Sequence, residues 1–196
     1  MGHPAAKTAR ATYADLEAAP PGKLAELIDG ELHLFPRPAP PHARASFRLG
    51  SELEGPFDRG RGGPGGWIIL AEPEIHFPDP ANAKGLNAVV PDLAGWRRER
   101  MPTLPATAYF SIAPDWVCEI LSPSTATHDR KLKLPLYAAH GVRFAWLIDP
   151  SAKTLEIHVL GEDRRWNTPI AYAGAQRVRA APFDAIELDL SVLWEW

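Results

Sequence analysis

The chain has 196 residues, of which 21 are Lys or Arg and 24 are Asp or Glu, so its formal net charge is −3. This length suits one domain that buries about 70% of its unfolded surface. The charge excludes a bulk polycation, so contact with nucleic acid would need a local basic patch. The apolar runs are far shorter than the roughly 20 residues of a membrane span.

Cys118 is the only cysteine, which excludes an internal disulfide and a cysteine-based zinc site and is typical of the cytoplasm. The first ten residues contain no apolar segment, so we expect no secretory signal.

The N-terminal part of the sequence predicts a helix, a hairpin and a second helix. Residues 1–11 are expected to form a flexible arm. Thr12 and Asp15 have the spacing of a capping box before a short helix. Asp29-Gly30 favours a tight turn between two strands, which predicts an N-terminal β-hairpin. After a proline-rich connector, HARASFRLGSEL has apolar residues at helical spacing.

The rest of the sequence predicts strands separated by loops, with one longer helix. Pro73 divides WIILAEPEIHF into two strands, whereas NAVVPDLAGW is predicted as one strand. The segment THDRKLKLPLYAAHG predicts a helix that ends at Gly141, a residue suited to a left-handed C-cap. Further strands are predicted from DWVCEIL, RFAWLID, TLEIHVL and RWNTPIAY, and a short C-terminal helix from LSVLWEW. We therefore predict one α/β (α+β) domain over residues 12–196, with a mixed, bent β-sheet flanked by helices.

Two carboxylates stand in apolar surroundings. In DWVCEIL, strand alternation places Val117, Glu119 and Leu121 on one face, and the apolar character of both faces indicates a central strand. An ionised glutamate there must be paired, hydrogen-bonded or bound to a metal, because unpaired burial costs several kcal/mol. Asp92 has a similar setting between VVP and LAGW. Two strands are therefore expected to bring both carboxylates to one place.

A lysine is expected beside these carboxylates. Asp129, Lys133 and Tyr137 are four residues apart, so they line one face of the predicted helix. The short turn after the strand keeps this helix close to Glu119. Paired carboxylates without a Cys or His cluster suit a hard cation, Mg²⁺ with Mn²⁺ as a substitute. Such a cation lowers the pKa of a bound water, and a lysine can steer that water or stabilise phosphate charge. The set is typical of phosphodiester hydrolysis.

Four segments of the sequence, taken in order, resemble the Uma-type family of restriction endonucleases, within the PD-(D/E)xK nuclease superfamily. These segments are VVPDL, WVCEILSPST, DRKLKLPLY and GVRFAWLIDP. The early ELIDGEL, followed by prolines and His42, is similar to the N-terminal part of that family. The resemblance implies a restriction-endonuclease-like core and an endonuclease that hydrolyses DNA, expected to be double-stranded. It also implies metal binding by Asp92 and Glu119, with the main-chain carbonyl of Ile120 as a further candidate ligand.

The catalytic lysine departs from the superfamily pattern. The usual lysine two residues after the acid is replaced by Leu121, and Lys133 on the following helix matches the position that this family uses. Lys131 is the second candidate. Pro135 lies inside the predicted helix, where it is expected to kink the backbone and disturb the aim of the lysine. An enzyme that cuts both strands is expected to be a two-fold homodimer.

Other interpretations stay open at this point. Glu119 alone is equally compatible with a structural ion pair, and the whole chain with a catalytically inactive relative that binds DNA or a protein. A two-carboxylate glycosidase, which needs no metal, is disfavoured because no aromatic sugar platform follows the glutamate. Glu26 and Glu31 are candidate accessory acids, although a solvent-facing position is favoured, and His42 is an outside candidate. The basic residues of WRRER and DRKLK are expected to flank the site, either as a solvated face or as a track for phosphates.

Overall fold

The computed structural model describes residues 10–79, 82 and 85–195, so residues 1–9 of the predicted arm lie outside the described residues. The strands in this part of the chain are β1 (Leu24–Ile28), β2 (Glu31–Phe35), β3 (Trp67–Ala71), β4 (Ile75–Pro78), β5 (Leu86–Val89), β6 (Leu93–Arg97), β7 (Trp116–Ile120), β8 (Phe144–Asp149), β9 (Thr154–Val159), β10 (Ile170–Ala173), β11 (Arg177–Val178) and β12 (Leu188–Asp189). The α-helices are α1 (Tyr13–Glu17), α2 (Pro40–Leu53), α3 (Ala126–His128) and α4 (Leu134–Ala139), with π-helical turns at Glu54–Asp58 and Asp129–Lys133 and a 3-10 helix at Leu190–Leu193.

The strands of the described chain form three sheets. The largest has the order β10-β9-β8-β7-β6-β3, in which β7 and β8 are parallel and the other pairs are antiparallel. A four-stranded antiparallel sheet has the order β2-β1-β5-β4, and β11 pairs with β12. The predicted fold class, a mixed sheet flanked by helices, is confirmed. The assignment of residues 12–196 to one domain stays a prediction.

The N-terminal hairpin forms where the sequence predicts it. Ile28 pairs with Glu31 across the turn, and both turn residues have positive φ, 52° at Asp29 and 77° at Gly30. A type I′ turn requires this conformation at both central positions, and it matches the twist of the flanking strands. The turn therefore fixes the register of β1 and β2.

The central strand β7 is buried along its whole length. Trp116, Cys118 and Ile120 belong to a core cluster that includes residues of α2. Val117 and Leu121 belong to a second cluster that includes residues of α4. The predicted alternation is thus confirmed, and the glutamate of this strand faces the side of the sheet that carries α4.

The segment NAVVPDLAGW is not one strand, as predicted, but two strands in different sheets, β5 and β6. Pro91 lies between them and has no N–H to donate to a ladder. On either side of it, the Val90 N–H donates to Glu26 Oε1 at 2.8 Å, and the Asp92 carbonyl accepts from the Glu72 N–H at 3.1 Å. The chain therefore crosses from one sheet to the other at Pro91, and Asp92 lies at the junction.

The helical segment after β7 accommodates its proline through a π-helical turn. The Leu134 N–H donates to the carbonyl of Asp129, five residues back, so the helix widens before α4 begins. Pro135 is the second residue of α4, directly after this turn. The segment ends as predicted, with Gly141 at φ 75°. Among the described helices, none has the length and apolar character that crossing a membrane requires.

Candidate functional site

Asp92 lies against the end of the central strand. Its Oδ2 accepts a hydrogen bond of 2.6 Å from the Ile120 N–H, next in sequence to Glu119. Its Oδ1 lies 3.3 Å from Nε2 of His42, which comes from the first turns of α2. Burial alone would lower the pKa of His42, but the Asp92 carboxylate raises it above its usual value. The crossing between the sheets thus places Asp92 beside the strand that carries Glu119, as the sequence predicts.

Glu119 is 2% exposed and makes two short contacts. Oε2 lies 2.9 Å from Lys133 Nζ, and Oε1 accepts a hydrogen bond of 2.6 Å from the Tyr137 hydroxyl. Burial raises the pKa of Glu119 well above its usual value, although the charge of Lys133 opposes this effect. The spacing of Lys133 and Tyr137 predicts this shared helical face, and their contacts with Glu119 confirm it.

Lys133 is 3% exposed and lies among several oxygen atoms. Its Nζ is 2.9 Å from both Glu119 Oε2 and Glu26 Oε1, donates to the Val90 carbonyl at 3.1 Å, and lies 3.9 Å from Asp129 Oδ1. Burial alone would lower the pKa of Lys133, but the Glu119 and Glu26 carboxylates raise it well above the usual value. The amine is therefore an ammonium ion, and Pro135 has not turned it away from the site.

Glu26 belongs to the same cluster, and its predicted solvent-facing position is wrong. It is 1% exposed and comes from β1, in the other sheet. Burial alone would raise its pKa, but the charge of Lys133 and hydrogen bonds from His128 and the Val90 N–H lower it to about 2. Glu119 shares the same ammonium, but burial and the neighbouring Asp129, Asp92 and Glu26 carboxylates raise its pKa.

The sequence contained a signal for Glu26. Strand alternation in β1 places it on the same face as Leu24 and Ile28, so that it is a charge within an apolar stripe. The same reasoning singles out Glu119. His128, whose Nε2 lies 2.7 Å from Glu26 Oε2, gave no comparable signal because its partner is 102 residues away in sequence. Glu31, the other candidate accessory acid, is exposed as predicted.

The charges in this cluster do not balance. Glu26, Glu119 and Asp129 are buried around one ammonium, and Asp92 adds to the field that raises the pKa of Glu119. Within the described residues, no three His, Cys, Asp or Glu side chains form a ready metal-binding group. Both oxygens of Glu119 already have protein partners. A cation would thus share this carboxylate with Lys133 or replace it, and the surplus of carboxylate oxygens suits a hard divalent ion.

A pocket of about 260 Å³ gives access to the cluster. It is lined by Asp92, Glu119 and Lys133, together with the turn between β7 and α3, residues 122–125. A neighbouring groove of about 560 Å³, beside α2 and β3, shares His42 and Asp92 with it. The three residues predicted for the site therefore reach one pocket. Lys131, the second candidate for the lysine, is exposed and does not line it.

The prediction that WRRER flanks the site is wrong. These arginines begin at the far end of β6, about 16 Å from Asp92 at 3.3 Å per residue. Arg97 lies over the Trp67 ring, 4.1 Å from its centroid. Arg98 pairs with Asp58, and Arg100 with Asp115. In DRKLK, Arg130 pairs with Glu156. Most of the proposed phosphate track is therefore held in contacts within the protein.

Comparisons with known proteins agree with this architecture. A solved structure described as "a putative nuclease belonging to DUF820" from Anabaena variabilis ATCC 29413 has a TM-score of 0.73 and 23% sequence identity, over 93% of this chain and 97% of that chain. This likeness shows the shared fold. A comparison with curated protein sequences gave no significant match. The family model Uma2, described as "Putative restriction endonuclease", matches residues 10–192. The chain belongs to the Uma2 family.

Proposed function

We propose that the protein is a Mg²⁺-dependent endonuclease that hydrolyses phosphodiester bonds of double-stranded DNA. The description of its family and that of its structural neighbour both point to a nuclease. The observation that carries the proposal is the meeting of Asp92, Glu119 and Lys133 in one pocket, although they come from three separate segments of the chain. An ion pair needed only for stability would not require the second carboxylate at the pocket wall.

Asp92 and Glu119 would hold the metal ion. When bound, Mg²⁺ lowers the pKa of a water molecule and polarises the phosphoryl oxygen. The Ile120 N–H holds Oδ2 of Asp92, and Oδ1 lies 3.3 Å from His42 Nε2, so both oxygens have a defined position at the pocket. Lys133 would stabilise the negative charge that grows on the phosphate or orient the attacking water. Its raised pKa keeps it protonated at neutral pH, which favours the electrostatic role over that of a general base.

Cleavage assays with matched variants test this function. We expect the protein to cleave linear duplex and supercoiled DNA with Mg²⁺ or Mn²⁺, and EDTA to abolish cleavage. Asp92→Asn and Glu119→Gln should each lower the rate by about 100-fold or more, with unchanged circular dichroism. Glu31→Gln, a matching change of an exposed acid, should leave the rate unchanged. Cleavage that survives both site variants, or is insensitive to EDTA, would show that these carboxylates do not hold a catalytic metal.

One observation favours a second candidate function, a catalytically inactive relative that binds DNA or a protein. Lys133 and Tyr137 occupy both oxygens of Glu119, and within the described chain no ready group of three metal ligands is present. Calorimetric titration with Mn²⁺ separates the two candidates. A nuclease binds the ion in a manner that depends on Asp92, whereas an inactive relative need not bind metal, so the absence of any heat of binding would favour the second candidate.

A further inference from the structure

Three protein hydrogen-bond donors contact the two oxygens of Glu26, whereas Lys133 and Tyr137 contact those of Glu119. Oε1 is 2.9 Å from Lys133 Nζ and accepts from the Val90 N–H at 2.8 Å. Oε2 is 2.7 Å from His128 Nε2. Since an ionised carboxylate can only accept, His128 carries its proton on Nε2. Ligation of a metal by Glu26 would require it to give up at least one of these three contacts.

The ring of His128 is itself held in place. The rings of His33 and Phe35, both on β2, pack against it with centroids 4.7 Å away. His128 ends α3, and the π-helical turn that follows carries Lys133. Glu26 lies on β1, paired with β2. The hairpin thus contacts the helical segment through His128 and Lys133, which both bind the Glu26 carboxylate.

We propose that Glu26 and His128 are positioning residues for Lys133, a proposal that rests on the proposed nuclease function. Lys133 lies midway between two carboxylates at equal distances, 2.9 Å from each. When Glu119 binds the cation, Glu26 keeps the ammonium at the pocket wall. His128 fixes Oε2 so that Oε1 stays directed at Lys133. The N-terminal hairpin, in the other sheet, then supports the reaction from outside the sheet that carries Glu119.

A double-mutant cycle on cleavage tests whether Glu26 acts through Lys133. We expect Glu26→Gln to lower the single-turnover rate by about 10- to 100-fold in the wild-type background. In a Lys133→Met background, the same change should alter the residual rate, measured with Mn²⁺, by less than about twofold. Glu31→Gln on the same hairpin is the control and should have no effect in either background. An equal loss in both backgrounds would mean that Glu26 contacts the metal or substrate itself, and would overturn the proposal.

His128 offers a second route in case Glu26→Gln does not fold. His128→Ala should reproduce the loss of rate, and His128→Gln should restore most of it, because an amide can still donate to Glu26 Oε2. If His128 has only a structural role, His128→Ala and His128→Gln should both lose thermal stability and cleavage rate in parallel. Full activity in folded His128→Ala would overturn the role of the histidine.

A spectroscopic measurement separates this proposal from the nuclease function. We expect nitrogen-15 NMR without added metal to show a slowly exchanging ammonium signal that Lys133→Met removes. Glu26→Gln and His128→Ala should shift or broaden it, and Glu31→Gln should not. An unchanged signal in Glu26→Gln would overturn the positioning role even if the protein cleaves DNA. If the wild-type protein does not cleave DNA but the expected NMR changes are seen, the nuclease function is rejected, whereas the positioning of Lys133 by Glu26 is supported.

Discussion

Replacement of Lys133 by methionine would test whether the cluster is as deeply buried as the structure shows. Methionine fills nearly the same space, so the change removes the ammonium without a large cavity. Glu26, Glu119 and Asp129 would then lack the cation that lies within 4 Å of each. Breaking a buried pair in this way costs about 3–5 kcal/mol, because uncompensated charge stays in the interior. We expect the free energy of unfolding at pH 7 to fall by that amount.

Urea unfolding, followed by tryptophan fluorescence, measures this loss. The matched control is Lys131→Met, two residues earlier on an exposed position of the same segment, which should change the free energy by less than about 0.5 kcal/mol. Lowering the pH should shrink the deficit of Lys133→Met, because carboxylates that have lost their cation become protonated more readily. A loss below about 1 kcal/mol, or one equal to that of the control, would refute the reasoning, since it would mean that water screens the cluster.

Two further predictions follow from the pKa values of the glutamates. The pKa of Glu26 falls from 4.5 to about 2 on folding. The ionised carboxylate therefore contributes about 3 kcal/mol to the free energy of unfolding above pH 4.5, and this contribution is lost as the pH falls through 2. In Glu26→Gln, the free energy of unfolding should depend less on pH in this range. Burial raises the pKa of Glu119, so protons compete with a metal ion for this carboxylate at a higher pH than for an exposed glutamate. Calorimetric titration with Mn²⁺ at several pH values should then show tighter binding at higher pH in the wild type, and a weaker dependence on pH in Glu119→Gln.

The parts of the site that the sequence predicted depend on local patterns and, for the roles of Asp92 and Lys133, on the resemblance to the Uma-type family. A charge in an apolar strand identified Glu119, and helical spacing placed Lys133 beside it with Tyr137. Pro135 did not misdirect the lysine: the helix widens in a π-helical turn that ends at Lys133, and the lysine still reaches Glu119. Glu26 carries the same local signal as Glu119, but its burial follows from the pairing of β1 with β5 and from the contact with Lys133, which local spacing does not show.

The contacts that the sequence did not predict depend on long-range pairing. NAVVPDLAGW has the composition of one strand, and only the pairing partners of its two halves show that the chain changes sheets at Pro91. WRRER has the charge of a phosphate track, yet its distance from the site follows from the direction of β6. His128 gains its role from a carboxylate on the hairpin. None of these relations is expressed in the local spacing of residues.

The most direct measurement is a crystal structure grown with Mn²⁺ and recorded at a wavelength where manganese scatters anomalously. We predict one anomalous peak in the pocket, about 2.0–2.6 Å from carboxylate oxygens of both Asp92 and Glu119, with Lys133 still in contact with Glu26. A pocket without a peak, with Lys133 still bound to Glu119 at a saturating concentration of the ion, would contradict the account. So would a peak that contacts neither carboxylate.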